Sequence, residues 1–161
     1  MIDSNFIKRS KLSIQNVSRE TLYELNAYSS SIINKNKEIN LISSTTEKSI
    51  NTRHILDSAQ TIDFIDKNDI KICTDLGSGA GLPGIVLAIL MKAKKPEFKV
   101  IFYEKSHHKS NFLKEISKKF KLNTEIKQKN IFEQKNLQTD IIISRAFKPL
   151  PVIYEIALNN F

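Results

Sequence analysis

All four glycines of this chain fall within eight positions, in Asp75-Leu76-Gly77-Ser78-Gly79-Ala80-Gly81-Leu82-Pro83-Gly84. At ordinary usage, about 7%, a chain of 161 residues would carry roughly eleven, spread along its length. Glycine is unique in its backbone freedom and its lack of a Cβ. Concentrating it in one loop of a glycine-poor chain indicates close approach of that loop to another group. The loop follows a short apolar run, Ile70–Leu76, and precedes a helical pattern from Pro83 to Met91. A strand, a glycine turn and a helix in that order bring backbone N–H groups to the carboxyl edge of a sheet, where open α/β sheets bind ligands.

Two registers compete. Counted from Gly79, Gly79-x-Gly81-x-x-Gly84 matches the dinucleotide fingerprint, with a pyrophosphate at the helix N-terminus. Counted from the strand end, the pattern is Asp75-x-Gly77-x-Gly79-x-Gly81. The dinucleotide fingerprint should begin at the strand end, and from Gly77 its third glycine falls on Leu82. A carboxylate just ahead of the glycines also repels a pyrophosphate, whereas it suits a cationic ligand such as the sulfonium and ammonium of S-adenosylmethionine. Glu104 closes the next strand pattern, Lys99–Tyr103, and a carboxylate there suits the two hydroxyls of a ribose, which both adenosine cofactors carry. Asp75, Gly79, Gly81 and Glu104 are therefore candidate cofactor-binding residues. The structural alternative is a tight turn without a ligand.

Other reactive side chains point away from several chemistries. Cys73 lies in mid-strand, a poor position for a nucleophile, and a lone cysteine forms no intramolecular disulfide. No CxxC pair or His/Cys cluster suggests a metal site. His107 and His108 head a helical pattern and read as surface residues. The fourth strand pattern is followed by Ser144-Arg145-Ala146-Phe147 and not by an Asp/Asn-Pro-Pro-aromatic motif. An arginine there suits a carboxylate or a phosphate.

The elements that position these residues follow from periodicity. Ser18 is an N-cap for a helix to about Asn36, with Leu22, Leu25, Tyr28, Ile32 and Ile33 at helical spacing. Ser44-Thr45-Thr46-Glu47 has the form of a capping box and predicts a second helix to about Asp66. Arg53, His54 and Asp57 lie on one face of it, either as a solvated face with an Arg53–Asp57 pair or aimed at a bound anion or base. From Ile70 the pattern alternates: strands at 70–76, 99–103, 124–127 and 140–144, the last expected to be fully buried. Helices fall between them, one capped by Ser106, and a last one follows Pro149 and Pro151. Residues 1–16 read as a loose arm or a short helix. The alternation predicts a doubly wound α/β fold with a parallel sheet.

A net charge of +8 fits a polyanionic partner, but 21 of the 25 basic residues are lysine in an isoleucine-rich chain, so compositional drift is an equal explanation. No signal peptide or apolar run of membrane-spanning length is legible, and the chain reads as soluble and cytoplasmic, without a membrane partner.

Four segments together give a more specific reading: Asn40-Leu41, Arg53-His54-Ile55-Leu56-Asp57-Ser58, the whole stretch from Asp75 to Gly84, and Ser144-Arg145-Ala146-Phe147. Over residues 20–150 the chain resembles the bacterial small-subunit ribosomal RNA guanine-N7 methyltransferases, the glucose-inhibited division protein B family. The resemblance implies a Rossmann-like, class I S-adenosylmethionine-dependent sheet at 69–161, preceded by an N-terminal helical extension at 1–68, as one compact unit. It implies S-adenosylmethionine as cofactor, small-subunit ribosomal RNA or the ribosomal subunit as partner, and a monomer. It implies cofactor contacts at Gly77, Leu82, Ile131, Phe132 and Arg145, with Phe132 departing from an aliphatic–acidic pair usual at that place. Asn40, Arg53 and His54 become candidate RNA-facing or site-shaping residues. The implied reaction is methylation of guanine N7, whose free lone pair needs no deprotonation, so no general base is named. The family sheet has seven strands and only four are legible up to Phe161. The sheet is therefore expected to be incomplete at its C-terminal side, with Ile141-Ile142-Ile143 on an open edge. The alternatives are a truncated remnant that binds cofactor or RNA without turnover and, further off, a nicotinamide-dependent oxidoreductase.

Overall fold

The computed structural model describes residues 1–2, 17–66 and 69–161. Four parallel strands form one sheet in the order β3-β2-β1-β4: β1 (Ile72–Leu76), β2 (Lys99–Tyr103), β3 (Thr124–Lys127) and β4 (Ile141–Ser144). The helices are α1 (Arg19–Asn36), α2 (Ile62–Asp66), α3 (Gly84–Met91), α4 (His107–Lys119) and α5 (Leu150–Asn160). The alternating pattern thus produces the expected α/β fold. Most of the predicted arm at 1–16 lies outside the described residues.

The sheet is covered on both faces. Cys73 in β1 and Val100 and Phe102 in β2 point to the face packed by α1, α3 and α4, while Leu76, Ile101 and Tyr103 point to the opposite face, toward Ile131 and Ile156 of α5. This is the two-residue alternation of a strand. All eight residues of α3 are buried, consistent with Gly-Ile-Val-Leu-Ala-Ile-Leu-Met being apolar all round. The helix is enclosed by contacts with α1, the turn Asp57–Ala59 and the sheet. Leu25, Tyr28 and Ile32 form the buried stripe of α1, and Ser18 caps it by accepting the Thr21 N–H at 3.0 Å. Glu24, also buried, accepts from Lys92 just beyond the C-terminus of α3 at 2.7 Å.

Three expectations need correction. The second helix is not continuous: Ser44–Ser49 is a 3-10 segment, Asn51–Leu56 a π-helical one and Asp57–Ala59 a single α turn before α2. The capping box does not form. The hydroxyls of Thr46, Ser49 and Thr52 donate instead to the backbone carbonyls of Ser43, Thr46 and Ser49, a local competition that Ser and Thr offer to a regular ladder, and Glu47 accepts from Asn36. Finally, β4 is half-buried, not fully buried, because the strand order leaves it at an edge of the sheet. Its three isoleucines read as a buried strand from composition alone.

Candidate functional site

The loop after β1 is built by its glycines. Gly77, Gly79 and Gly81 have φ of +67°, +55° and +91°, in the left-handed region that side-chain-bearing residues rarely adopt. A Cβ at Gly77 would stand 2.1 Å from the Phe147 ring, so close packing adds to the conformational demand. At Gly79 the same atom would meet nothing nearer than 3.9 Å, so the loop presents its open side there. The Gly77 and Ser78 N–H groups both donate to Tyr103 O, tying the loop to the end of β2.

Two carboxylates and one phenol hold this shape. Glu104 accepts from Gly79 N at 2.9 Å with Oε2 and from Ser106 N at 2.8 Å with Oε1, so it spans the glycine loop and the start of α4. A carboxylate has about four acceptor sites, which leaves capacity for two hydroxyls. Asp75 lies on the other side of the loop. Strand alternation puts it on the Cys73 face, under α3, where its Oδ2 accepts from Gly84 N at 3.0 Å and the buried Oδ1 has no hydrogen-bond partner among the described residues. Burial pushes the Asp75 carboxyl up to about 7, helped by the charge of Glu104 and opposed by the Gly84 hydrogen bond. Tyr28, from α1, donates its hydroxyl to Ala80 O at 2.8 Å. Burial, and then the charge of Asp75, raise its pKa well above the usual phenol value, which keeps it a donor.

Above the loop is a cavity of about 560 Å³, within the range of small-molecule sites. Gly77, Gly79, Leu82, Glu104, Ile131, Phe132, Arg145 and His54 are among its lining residues, so eight of the residues singled out in the sequence meet in one place. Asp75, Gly81, Asn40 and Arg53 do not line it. Asp75 is turned inward, as described. Gly81 packs against Ile85 and Leu113. Asn40 is exposed beside a neighbouring depression that shares Leu41, Ile42 and Ser43 with the cavity. Arg53 is exposed and forms no ion pair with Asp57; its carbonyl, however, accepts from Arg145 Nη2 at 2.7 Å.

The remaining wall is apolar or cationic. Ile131 is buried and Phe132 is 46% exposed, its ring 6.3 Å from that of Phe147, with Lys148 Nζ 5.9 Å over it. Lys105, Lys109, Lys129 and Lys148 join Arg145 around the cavity, against the single acid Glu104. Neither the lysines nor the Tyr28 hydroxyl stands out in the sequence as a site residue. Lys105 and Lys109 follow Glu104 at a spacing that could have signalled them, but nothing local marks Tyr28, which reaches across 52 residues. Among the described residues no His/Cys/Asp/Glu group has the makings of a metal centre, and no helix is long and apolar enough to cross a membrane.

The arrangement fits an adenosine group better than a pyrophosphate. The first N–H of α3, which a dinucleotide-type site would offer to a phosphate, is already taken by an internal carboxylate. What faces the cavity is the side of the loop with Gly77 and Gly79, the diol-capable Glu104 and an apolar wall.

Comparison with known proteins agrees with this geometry. Residues 21–161 match the family model of GidB, rRNA small subunit methyltransferase G. The ribosomal RNA small subunit methyltransferase G of Pelagibacter ubique is 51% identical over 149 residues, covering 91% of this chain and 70% of that protein. Its counterpart in Cereibacter sphaeroides is 34% identical over 151 residues, covering 94% and 73%. Among solved structures, an O-methyltransferase from Bacillus cereus in complex with SAH superposes with a TM-score of 0.56 at 17% identity, over 94% of this chain and 65% of that one. That likeness establishes the Rossmann-like fold.

Two outcomes follow for the loop supports. Tyr28→Phe strands the buried Ala80 carbonyl and should cost about 1–3 kcal/mol of unfolding free energy in urea denaturation; an unchanged midpoint would show that the bond carries nothing. Asp75 has a folded-state value raised above its unfolded one, so its contribution is fully present below about pH 4 and is lost as pH rises toward about 7. Asp75→Asn should flatten the fall in stability across that window, and an identical pH profile in the variant would contradict the buried-carboxylate account.

Proposed function

The chain belongs to the rRNA small subunit methyltransferase G family, and from that premise we propose that it transfers a methyl group from S-adenosylmethionine to N7 of a guanine in small-subunit ribosomal RNA. One observation supports the cofactor assignment above the others. Asp75 occupies the N-terminus of α3 from inside, while Gly79 and Glu104 remain on the cavity side, joined by a 2.9 Å hydrogen bond. A site arranged in this way takes the nucleoside part of a cofactor and offers no helix terminus to a diphosphate.

Within this reading Gly77 and Gly79 let the cofactor approach the backbone, Glu104 accepts from the ribose hydroxyls, and Leu82, Ile131 and Phe132 line the adenine. Arg145 offers a guanidinium to the carboxylate end. When bound, S-adenosylmethionine supplies an electrophilic methyl carbon on a sulfonium. Guanine N7 presents a lone pair and no proton, so the chain need supply only position and field. This agrees with the side chains present: Glu104 is engaged by two backbone N–H groups, and the His54 ring by Arg145 and Thr46. The lysines around the cavity supply the positive potential that an RNA backbone requires. We take the protein to work in the cytoplasm, where its ribosomal substrate is, and as a monomer.

Incubation with methyl-labelled S-adenosylmethionine and either small ribosomal subunits or their naked RNA should place label at guanine N7, mapped by reductive cleavage of the RNA. Label confined to another base position, or to protein, would overturn the assignment. Gly79→Val adds a branched side chain on the open face of the loop, at a positive φ. It should abolish binding of S-adenosylhomocysteine in calorimetry while circular dichroism stays helical; unchanged affinity would refute the loop's role.

A further inference from the structure

The guanidinium of Arg145 is held by a side-chain cluster that no part of the proposed reaction uses. Arg145 leaves the end of β4 and reaches the π-helical segment, where Nη2 donates to Arg53 O at 2.7 Å and lies 3.1 Å from His54 Nδ1. Its Nη1 stands 3.5 Å from the buried Ser58 Oγ. The segment departs from a regular α-helix there: Asp57 N–H donates to His54 O, three residues back, where a regular α-helix would direct it to Arg53 O, and the Arg53 carbonyl accepts from Arg145.

The chemistry of the pair fixes the state of the imidazole. Arginine has only donors, so at 3.1 Å from Nη2 the His54 Nδ1 must carry a lone pair. The proton is then on Nε2, which lies 2.8 Å from Thr46 Oγ1 and donates to it. His54 is half-buried, with Arg145 facing it from β4 and Arg53 and Asp57 on its own segment. Burial first, then Arg145, lower its basicity; Asp57 raises it and Arg53 lowers it further. Both His54 and Arg145 line the cavity.

We propose that His54 is a positioning residue: as the neutral Nε2–H tautomer held by Thr46, it accepts from Arg145 and fixes that guanidinium at the cavity for a carboxylate ligand. The assignment rests on the reading of the cavity as an S-adenosylmethionine site, in which the carboxylate is that of the cofactor's amino-acid end. It makes His54 act through Arg145 and not on RNA, and it makes the anchor sensitive to pH. The folded-state value of His54 lies below its unfolded value. The hydrogen bond is therefore present above the ordinary histidine range and is lost as pH falls through the lowered value, when Nδ1 becomes a donor facing a cation.

The test is calorimetric binding of S-adenosylhomocysteine between pH 5 and 8 to the full chain and to His54→Ala and His54→Asn. His54→Ala removes the acceptor and should weaken binding roughly ten-fold at neutral pH, the scale of one hydrogen bond to a charged group. His54→Asn places an amide oxygen near Nδ1 and should restore neutral-pH affinity while removing the extra loss on acidification. The titration of Asp75 is common to all three proteins and cancels in their ratios. Equal affinities throughout, or the same acid loss in His54→Asn as in the unaltered chain, would overturn the proposal. Nitrogen-15 NMR of the unaltered protein gives a second readout that needs no folded variant. His54 Nδ1 should resonate as an unprotonated nitrogen at neutral pH, and a protonated Nδ1 would overturn the proposal. Failure of the unaltered protein to bind S-adenosylhomocysteine at any pH would instead overturn the cofactor reading, leaving the tautomer to be judged from the spectrum.

Discussion

The loop between β1 and α3 is held from below by a carboxylate that never meets solvent. Asp75 is 1% exposed, accepts the Gly84 N–H at the start of α3, and its other oxygen has no hydrogen-bond partner among the described residues. A negative group at a helix N-terminus is favourable, but one so deeply buried also carries a desolvation cost. The loop is shaped around that compromise. Three glycines at positive φ turn the chain back over Asp75, Tyr103 O takes the Gly77 and Ser78 N–H groups, Glu104 takes that of Gly79, and Tyr28 reaches in to satisfy Ala80 O. A Cβ at Gly84 would run into the Phe102 ring and lie 2.6 Å from the Asp75 carboxylate, so close packing against both leaves room only for glycine there.

Much of this frame was legible in the amino-acid order. The run of glycines, the strand–loop–helix alternation, and the caps at Ser18 and Ser106 depend on local chemistry, and each appears where the pattern put it. The register of the glycines also favours S-adenosylmethionine over a dinucleotide, but Asp75 does not face a cationic ligand as its place before the glycines suggests. Strand alternation turns the side chain to the opposite face, and it disfavours a diphosphate by occupying the helix terminus itself. Contacts between distant segments were not legible. Tyr28 looks like any helical core residue until its hydroxyl finds Ala80 O, and Arg145 gives no sign in sequence that it will bond to the carbonyl of Arg53. The π-helical segment was hidden because an apparent capping box and an apolar stripe describe a regular helix equally well.

The N-terminal helical region is therefore part of the site and not an appendage to it. Through Tyr28 it supports the glycine loop, and its Arg53 carbonyl and His54 ring both contact the arginine that follows β4. The segment Leu41–Ser43 contributes to the cavity wall as well. A reaction that attacks with a ready lone pair needs this kind of support, since its rate depends on where the reactants are held and little on proton transfer. In the proposed reaction the cationic rim meets a large anionic substrate whose backbone is held beside the reacting base.

With Asp75 at the α3 terminus and Glu104 at the cavity, the site is suited to adenosine and closed to diphosphates. Titration of the full chain with S-adenosylhomocysteine and, separately, with NADH tests this most directly. Saturable binding of S-adenosylhomocysteine, undisturbed by an excess of NADH, is the result expected from a helix terminus already occupied by Asp75. Saturable NADH binding with none of S-adenosylhomocysteine would contradict it.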